Sequence, residues 1–495
     1  MRRAIRFLGT KELNFVSGIR QDGRGSPFDN FEPATWTRLS QARNSNASDV
    51  AQAVESASGA CTTTSWSTTS GRERAKILRN AAQLIRRRVE EIAELETRDC
   101  GKPLWESKGD VEASADCIEY FAGLAPSIHG EHIHQLDGGG SFAYTRREPL
   151  GLCAGIGPWN YPFQTACWKV APALACGNAF VYKPSPLAPL SAVLLAEIFV
   201  DAGLPPGIFN VVQGDGETGR LLASHEGVAK ISFTGSVPTG KTVMATASGS
   251  VKPVTLELGG KSPMIVFEDA DLDNAVSGAM MANFLSQGQV CSNGTRVFVH
   301  RKIKDAFVSK LVPRVASLRV GHPMKEDTQV GALISPDHAA KVLKYIESAK
   351  DEGGHLLCGG EALRPPDTAN GAYISPAIVD GCNDSMQAVK EEVFGPVLFL
   401  LDFENEEEVI HRANDTVYGL AAGIFTRDVT RAHRVIASLQ AGMCWINNFN
   451  VQPPELPFGG YKQSGVGREN GTVALDHYSQ LKTVYVEMGD VKSPF

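Results

Sequence analysis

Apolar positions recur along this chain at two spacings, and the spacing changes near residue 150. Between 70 and 99, Leu78, Ala81, Ile85, Val89 and Ile92 fall at three- and four-residue steps, behind Ser70 as a cap and ahead of Gly101 and Pro103. That spacing predicts one amphipathic helix. Its Arg86-Arg87-Arg88 run reads as a solvated helix face rather than a binding patch. From 149 onward, short apolar or β-branched runs at 151–156, 178–183, 208–213, 229–235 and 253–258 alternate with helical stretches. A second series follows near 263–267, 296–300, 395–401, 420–425 and 443–447. Strand-helix-strand repeated in this way predicts an α/β protein with two Rossmann-like parallel-sheet domains, each sheet covered on both faces. Residues 135–150, with Gly138-Gly139-Gly140 and the alternation from Ser141 to Arg146, read as a hairpin arm. The tail after about 475, with Val484, Tyr485 and Val486, is expected to pair with that arm or with a neighbour's sheet.

Charge narrows the partners. The 495 residues carry 48 Lys+Arg against 55 Asp+Glu, a net charge of -7, so no domain-wide basic face is available for nucleic-acid phosphates. No apolar stretch approaches the roughly 20 residues that cross a bilayer, so no membrane partner is expected. The basic Met1 to Arg6 segment lacks the apolar core of a secretory signal, and an organelle-targeting segment stays open. Ten cysteines without a CxxC pair read as reduced, mostly buried thiols and point to the cytoplasm. The triplet Asn293 to Thr295 then carries no glycan. His129, His132 and His134 lie close together, but the expected strand 132–136 gives only two of them one face, so they read as polar arm residues and no metal is expected.

One glycine loop admits two readings. Ile231-Ser232-Phe233 runs into Gly235-Ser236-Val237-Pro238-Thr239-Gly240-Lys241-Thr242, a string of the phosphate-loop form GxxxxGK[ST]. Met264 to Phe267 followed by Glu268 and Asp269 imitates the magnesium-holding strand of such NTPases. Against this, Pro238 removes a backbone N-H that the loop would aim at phosphate, and the strand comes fourth in its series, away from the expected reversal of winding. The alternative keeps the physics: a helix starting near Pro238 offers its N-terminus to a dinucleotide pyrophosphate, with Gly235 and Gly240 permitting close approach.

Three side chains carry candidate chemistry. Cys291 follows a glycine within Gln287-Gly288-Gln289-Val290-Cys291, between a helical run and a strand, where backbone N-H groups favour a thiolate. Glu257 sits in the apolar strand end Val254 to Leu258, either paired structurally or poised to accept a proton. Asn160, between Pro158 and Pro162, is either a turn former or a donor to a developing oxyanion.

In order along the chain, Phe233-Thr234-Gly235-Ser236, Glu257-Leu258-Gly259-Gly260-Lys261, Gly288-Gln289-Val290-Cys291, Glu392-Val393-Phe394-Gly395-Pro396 and Pro457-Phe458-Gly459-Gly460-Tyr461-Lys462-Gln463-Ser464-Gly465 resemble the NAD(P)-dependent aldehyde dehydrogenase superfamily. The resemblance runs from Phe31 to the tail. It implies Cys291 as nucleophile, Asn160 with the Cys291 N-H as oxyanion donors, and Glu257 as the base that activates water, yielding a carboxylic acid. It further implies a cofactor site of Trp159, Lys183, Phe233, Gly235, Ser236, Gly240, Leu258, Glu392 and Phe394. The cofactor is NAD, with NADP left open because Pro186 stands where many NAD-preferring members carry Glu. Implied domains are coenzyme-binding (1–124 and 147–259), catalytic (260–474) and an oligomerisation arm and tail (125–146 and 475–495), in a homo-oligomer built as a dimer of dimers. Ser286 departs from the usual Asn, which loosens the expected turn.

The segments Trp445 to Asn450, Glu455 to Phe458 and Phe284 to Gln287 resemble most the 4-trimethylaminobutyraldehyde and betaine aldehyde dehydrogenase branch, which implies ω-aminoaldehyde substrates and a place in carnitine biosynthesis. Tyr161 and Trp168, seven residues apart on an expected helix, share one face and can hold a quaternary ammonium, with Phe449 and Phe458 as further walls; they serve equally well as core. Asp110, Glu112 and Asp116 read as a solvated acidic face rather than a cation-steering one. A broad-specificity aliphatic enzyme, a CoA-acylating relative and an idle fold remain alternatives; the intact Cys291, Glu257 and Asn160 weigh against the last two.

Overall fold

The computed structural model describes residues 13–134, 136, 140–368, 370–491 and 493–495. The basic N-terminal segment and Gly138-Gly139 of the arm lie outside the described residues. The apolar period from 70 to 99 is realised as two helices, Gly71–Arg87 and Val89–Cys100. Leu78, Ala81, Ile85 and Ile92 are fully buried as the spacing requires. The chain breaks at Arg88, which leaves helical geometry (φ -118°, ψ 18°) while its guanidinium clamps Glu91 at 3.0 Å and 3.1 Å. Arg86 reaches Asp116 and Glu119 on the neighbouring helix Leu104–Leu124, so the arginine run braces one helix on another.

Two large sheets carry the rest. In the first, the parallel strands stand in the order Phe209–Val211, Ala179–Lys183, Leu152–Ile156, Lys230–Thr234, Val254–Glu257. Winding therefore starts at Leu152–Ile156, proceeds outward one way and then resumes on the other side at Lys230–Thr234. Asn14–Val16 and Ile19–Gln21 extend one edge, and Gly465–Val466, from within the 260–474 segment, closes the other. The second sheet runs His355–Cys358, Ala377–Asp380, Val397–Phe403, Arg296–His300, Pro263–Val266, Ala421–Phe425, Met443–Ile446, parallel except for its first strand. All ten strands expected from the sequence are present within two or three residues of their expected ends.

A third sheet pairs the tail with the arm. Ser479–Val486 lies antiparallel to Phe142–Pro149, with Val484 opposite Tyr144, and Phe142–Pro149 in turn pairs with His132–Ile133. The outer edge of Ser479–Val486 carries no strand among the described residues, and Leu481 and Tyr485 are exposed on it. His132 and His134 do share a face, their rings parallel at 6.0 Å. Among the described residues no helix is long and apolar enough to cross a membrane.

One buried amide ties these parts together. Asn178 Oδ1 accepts from the N-H groups of Leu150 and Gly151, and its Nδ2 donates to the carbonyls of Ala173 and Tyr478. Asn178→Ala strands three backbone groups, the Leu150 and Gly151 N-H and the Tyr478 carbonyl, since Ala173 still accepts from the Asn178 backbone N-H; each is worth about 1 to 3 kcal/mol when buried unpaired. The expected outcome is a melting temperature lower by several degrees in differential scanning fluorimetry; an unchanged value would show that water replaces the amide.

Candidate active site

Ligands of open α/β sheets bind beyond the carboxyl ends of the strands where winding reverses. Here the reversal falls between Leu152–Ile156 and Lys230–Thr234. The loops leaving those two strands are Gly157-Pro158-Trp159-Asn160 and Gly235-Ser236, so the glycine loop lies at the switch point after all: its strand is fourth in the chain but next to the first in space. A cleft of about 350 Å³ opens there, lined by Trp159, Lys183, Phe233, Gly235 and Ser236 among others. Ser236 starts the helix Val237–Ser248 without capping it, its Oγ meeting Thr239 Oγ1 at 2.9 Å instead. The first-turn N-H groups are thus free for an anion, the one at Pro238 excepted. Lys183 is buried, donates to the Pro184 and Gly214 carbonyls, and burial lowers its ammonium to about 8.

A second cavity, about 260 Å³, continues from this cleft past Trp159 and Ser236 to Leu258, His338, Glu392, Phe394 and Cys291. Trp159 meets the His338 and Phe394 rings edge-on, and His338 Nε2 donates to the Phe394 carbonyl at 2.7 Å. Burial raises the Glu392 carboxyl to about 7, while Gly260 N-H donates to it. Gly240 does not line the cleft. It sits one layer behind, where a Cβ would lie 2.5 Å from the Leu258 side chain, so its role is close packing of helix against strand end.

Cys291 enters from the other sheet. The helix Leu272–Phe284 ends in a run of left-handed residues, Ser286 (φ 48°), Gln287 (φ 55°) and Gly288 (φ 71°). Asn tolerates this region better than Ser, so position 286 carries strain, held by the Ser286 N-H donating to Glu106 Oε2 at 2.8 Å. The Asn160 amide donates one N-H to the Gln289 carbonyl at 2.7 Å, which leaves its second N-H available. Glu257 is buried with neither carboxylate oxygen hydrogen-bonded. Burial, then the Glu469 charge, pushes its pKa well above the usual carboxylate range, while Lys169 and Arg468 oppose the shift. Burial, then Glu392 and Glu257, raises the Cys291 thiol to about 12. Lys169 is equally buried and bridges Glu469 and Thr234 Oγ1.

On the far side of Cys291 lies a third cavity, about 260 Å³, walled by Asp110, Asn160, Tyr161, Trp168, Glu257, Cys291, Gln452 and Phe458 among others. Trp168 and Phe458 meet at 5.3 Å. Phe449 is not part of this wall. Its ring is fully buried against Trp445 and fills the space beside Gly294 and Gly423. Asp110 faces the cavity, whereas Asp116 is tied to Arg86 and Glu112 is exposed. The second and third cavities thus meet at Cys291, Asn160 and Glu257, and the second joins the first cleft at Trp159, Gly235 and Ser236.

A sequence model described as the aldehyde dehydrogenase family matches residues 19–484. The chain belongs to the aldehyde dehydrogenase family. It is 56% identical over 497 residues, 99% of each chain, to a 4-trimethylaminobutyraldehyde dehydrogenase of Sus scrofa. It is 57% identical over 487 residues to 4-trimethylaminobutyraldehyde dehydrogenase A of Danio rerio, covering 98% of this chain and 95% of that one. Among solved structures, a betaine aldehyde dehydrogenase of Staphylococcus aureus in complex with NAD+ superposes with a TM-score of 0.96 at 36% identity, over 99% and 98% of the two chains. The two-sheet architecture is thus the aldehyde dehydrogenase fold.

In this aldehyde dehydrogenase the sequence reading missed the charges behind Glu257. Lys169 lies on an expected helix and Glu469 in a loop beyond the glycine-rich Pro457 to Gly465 motif, and nothing in their local sequence marks them as partners. His338 and Lys341 at the cofactor side were also unmarked; the only signal is their one-turn spacing on the helix Pro336–Asp351. In the base role expected from the sequence, Glu257 acts only when deprotonated, so activity is expected to rise with pH through its titration. Glu469→Gln removes the like charge and releases the Lys169 ammonium, and both effects favour ionised Glu257. The ascending limb of the pH-rate profile for aldehyde oxidation is expected to move toward acid; a shift toward alkali would contradict the assigned coupling.

Proposed function

We propose that this chain oxidises aldehydes to carboxylic acids with NAD, and that its substrates are ω-aminoaldehydes such as 4-trimethylaminobutyraldehyde or betaine aldehyde. The observation that carries the reading is the meeting of a dinucleotide-sized cleft and an aromatic-walled cavity at one thiol, with an amide donor and an unpaired carboxyl beside it. Relatives named for 4-trimethylaminobutyraldehyde and a neighbour holding NAD+ support the same choice.

The cleft suits a dinucleotide: Lys183 and the uncapped start of Val237–Ser248 would hold the ribose and pyrophosphate, and Glu392 with Phe394 the nicotinamide ribose. Trp159, Phe233, Gly235 and Leu258 would wall it. The absence of an acidic side chain at Pro186 leaves NADP acceptable in the same place.

With its thiol raised to about 12, Cys291 needs a proton acceptor near the moment of attack. Glu257, with both oxygens free, serves that need. Cys291 Sγ then adds to the aldehyde carbon, and the free N-H of Asn160 with the Cys291 backbone N-H stabilises the oxyanion of the thiohemiacetal. NAD, when bound, supplies the hydride acceptor that makes the thioester possible. Once the thiol proton has passed from Glu257 to solvent, the carboxylate takes a proton from water as its oxygen attacks the thioester carbonyl; the carbon-sulfur bond breaks, the sulfur leaves as thiolate and the acid departs. Tyr161, Trp168 and Phe458 would receive a trimethylammonium group, each ring worth about 0.5 to 2 kcal/mol.

We also assign 1–124 and 147–259 to cofactor binding, 260–474 to catalysis, and 125–146 with 475–495 to assembly. The open edge of Ser479–Val486 supports a homo-oligomer, read as a dimer of dimers, because an unpaired strand edge seeks a partner. A cytoplasmic location and a step of carnitine biosynthesis fit the same reading.

Cys291→Ala is expected to abolish aldehyde-dependent NADH formation while NAD still quenches tryptophan fluorescence through Trp159; unimpaired turnover would refute the nucleophile. Across a steady-state panel, kcat/KM for 4-trimethylaminobutyraldehyde is expected to exceed that for a simple alkanal by roughly tenfold or more, the worth of one to two cation-π contacts. Equal values would favour a broad-specificity aliphatic enzyme.

A further inference from the structure

Tyr161 and Asp110 form part of the aldehyde-side wall, and a lysine stands directly behind them. Lys102 follows Gly101, whose left-handed φ of 82° ends the helix Val89–Cys100, and its side chain is fully buried. Its ammonium is ion-paired to Asp110 and lies 3.6 Å from the centroid of the Tyr161 ring. Lys102 does not itself line the cavity. A cation that close covers one face of the ring, so that face is closed to any ligand ammonium. The other titratable groups packed around it are Cys100, Glu96 and Glu106, all buried, the two glutamates each with one carboxyl oxygen lacking a hydrogen-bond partner. Burial raises Glu96 to about 7 and Glu106 to about 8, so near neutral pH Glu106 is largely protonated and Glu96 partly so. Asp110 is then the main carboxylate that Lys102 has to balance.

We propose that Lys102 is a specificity-determining residue acting through Asp110 and Tyr161: it cancels the carboxylate charge at this wall, covers one face of the ring, and leaves recognition of a substrate ammonium to the other Tyr161 face with Trp168 and Phe458. The inference rests on the reading that the third cavity takes aldehydes, charged ones included. An unbalanced Asp110 would attract any cation and hold it regardless of where its aldehyde carbon lies; an unbalanced Lys102 would repel it. The pair avoids both and lets the aromatic faces do the selecting.

The readout is the ratio of kcat/KM for 4-trimethylaminobutyraldehyde to that for a neutral alkanal of similar length. Lys102→Met exposes the Asp110 charge and is expected to raise the ratio about tenfold, chiefly through a lower KM for the cation. Asp110→Asn leaves the ammonium unbalanced and is expected to lower the ratio about tenfold. The double variant returns toward the wild-type value. Opposite shifts in the single variants support the proposal; no shift, or shifts of the same sign, overturn it. Should Lys102→Met fail to fold by thermal melting, Lys102→Gln takes its place, and if neither folds, Asp110→Asn decides: a lower ratio supports, an equal or higher one overturns. A wild-type enzyme inert toward every aldehyde would instead refute the proposed function, and the two failures are told apart by that control.

Discussion

Two sheets can share one reaction centre only if the chain passing between them is short and carries no side chain where it comes closest. Leu258 to Ser262 makes that passage. Glu257 ends the last parallel strand of the first sheet and Pro263 starts a strand of the second. Between them, a Cβ on Gly259 would fall 2.2 Å from the Glu392 carboxylate, and one on Gly260 would fall 2.7 Å from the Cys291 carbonyl. Real Cβ atoms do not approach so closely, so Gly260 is a steric requirement set by backbone, and a side chain at 259 would push the Glu392 carboxylate from its place. The ends are pinned: Leu258 N-H donates to the Ser464 carbonyl, and Lys261 Nζ donates to the Ala388 carbonyl. Glu257, Cys291 and Glu392 thus stand at separations fixed by backbone.

The groups brought together are held at a disadvantage to stability. Glu257 has no hydrogen bond to either oxygen, and a buried polar atom left so costs about 1 to 3 kcal/mol. Cys291 and Glu392 are both raised by loss of water first; the Glu392 and Glu257 charges add to the shift on Cys291, whereas the Gly260 N-H, Lys261 and Lys341 oppose the shift on Glu392. A folded protein gains nothing from such an arrangement, whereas a proton-transfer site does: the carboxyl that is poorly solvated as an anion accepts a proton readily. Lys169 and Glu469 sit one layer further in and set how far the shift goes.

The fold was legible because parallel strands buried on both faces are continuous apolar runs, and ten such runs with helices between them leave little choice of architecture. Order in space was less legible. The strand Lys230–Thr234 is fourth along the chain, and its position beside the first became visible only with the sheet order. Local motifs singled out Cys291, Glu257 and Asn160, which line one cavity in the structure, since each sits where a strand or helix ends and the backbone turns. Phe449 was misjudged because an aromatic near a site looks the same in sequence whether it walls a cavity or fills the space beside Gly294 and Gly423. Asp110 was misjudged for the opposite reason: acidic residues on a helix are usually solvated, and its buried partner Lys102 is two elements away in function though near in sequence.

The Cys291 loop and the cavity wall of Tyr161 and Asp110 are linked through that buried charge cluster. Ser286, Gln287 and Gly288 are consecutive left-handed residues, a conformation that costs on the order of 1 to 3 kcal/mol at each non-glycine position and persists only when its surroundings hold it. Glu106 supplies part of the hold by accepting the Ser286 N-H, and the same carboxyl feels the Lys102 charge. Gln289 completes it, accepting from the Ile334 N-H at its side chain and from Asn160 at its carbonyl. The loop that presents Cys291 is therefore braced by the helix that carries Asp110 and by the Asn160 amide. Charge behind the Tyr161 and Asp110 wall is connected to that loop through Glu106 and a single backbone N-H, so wall and loop belong to one connected group of residues.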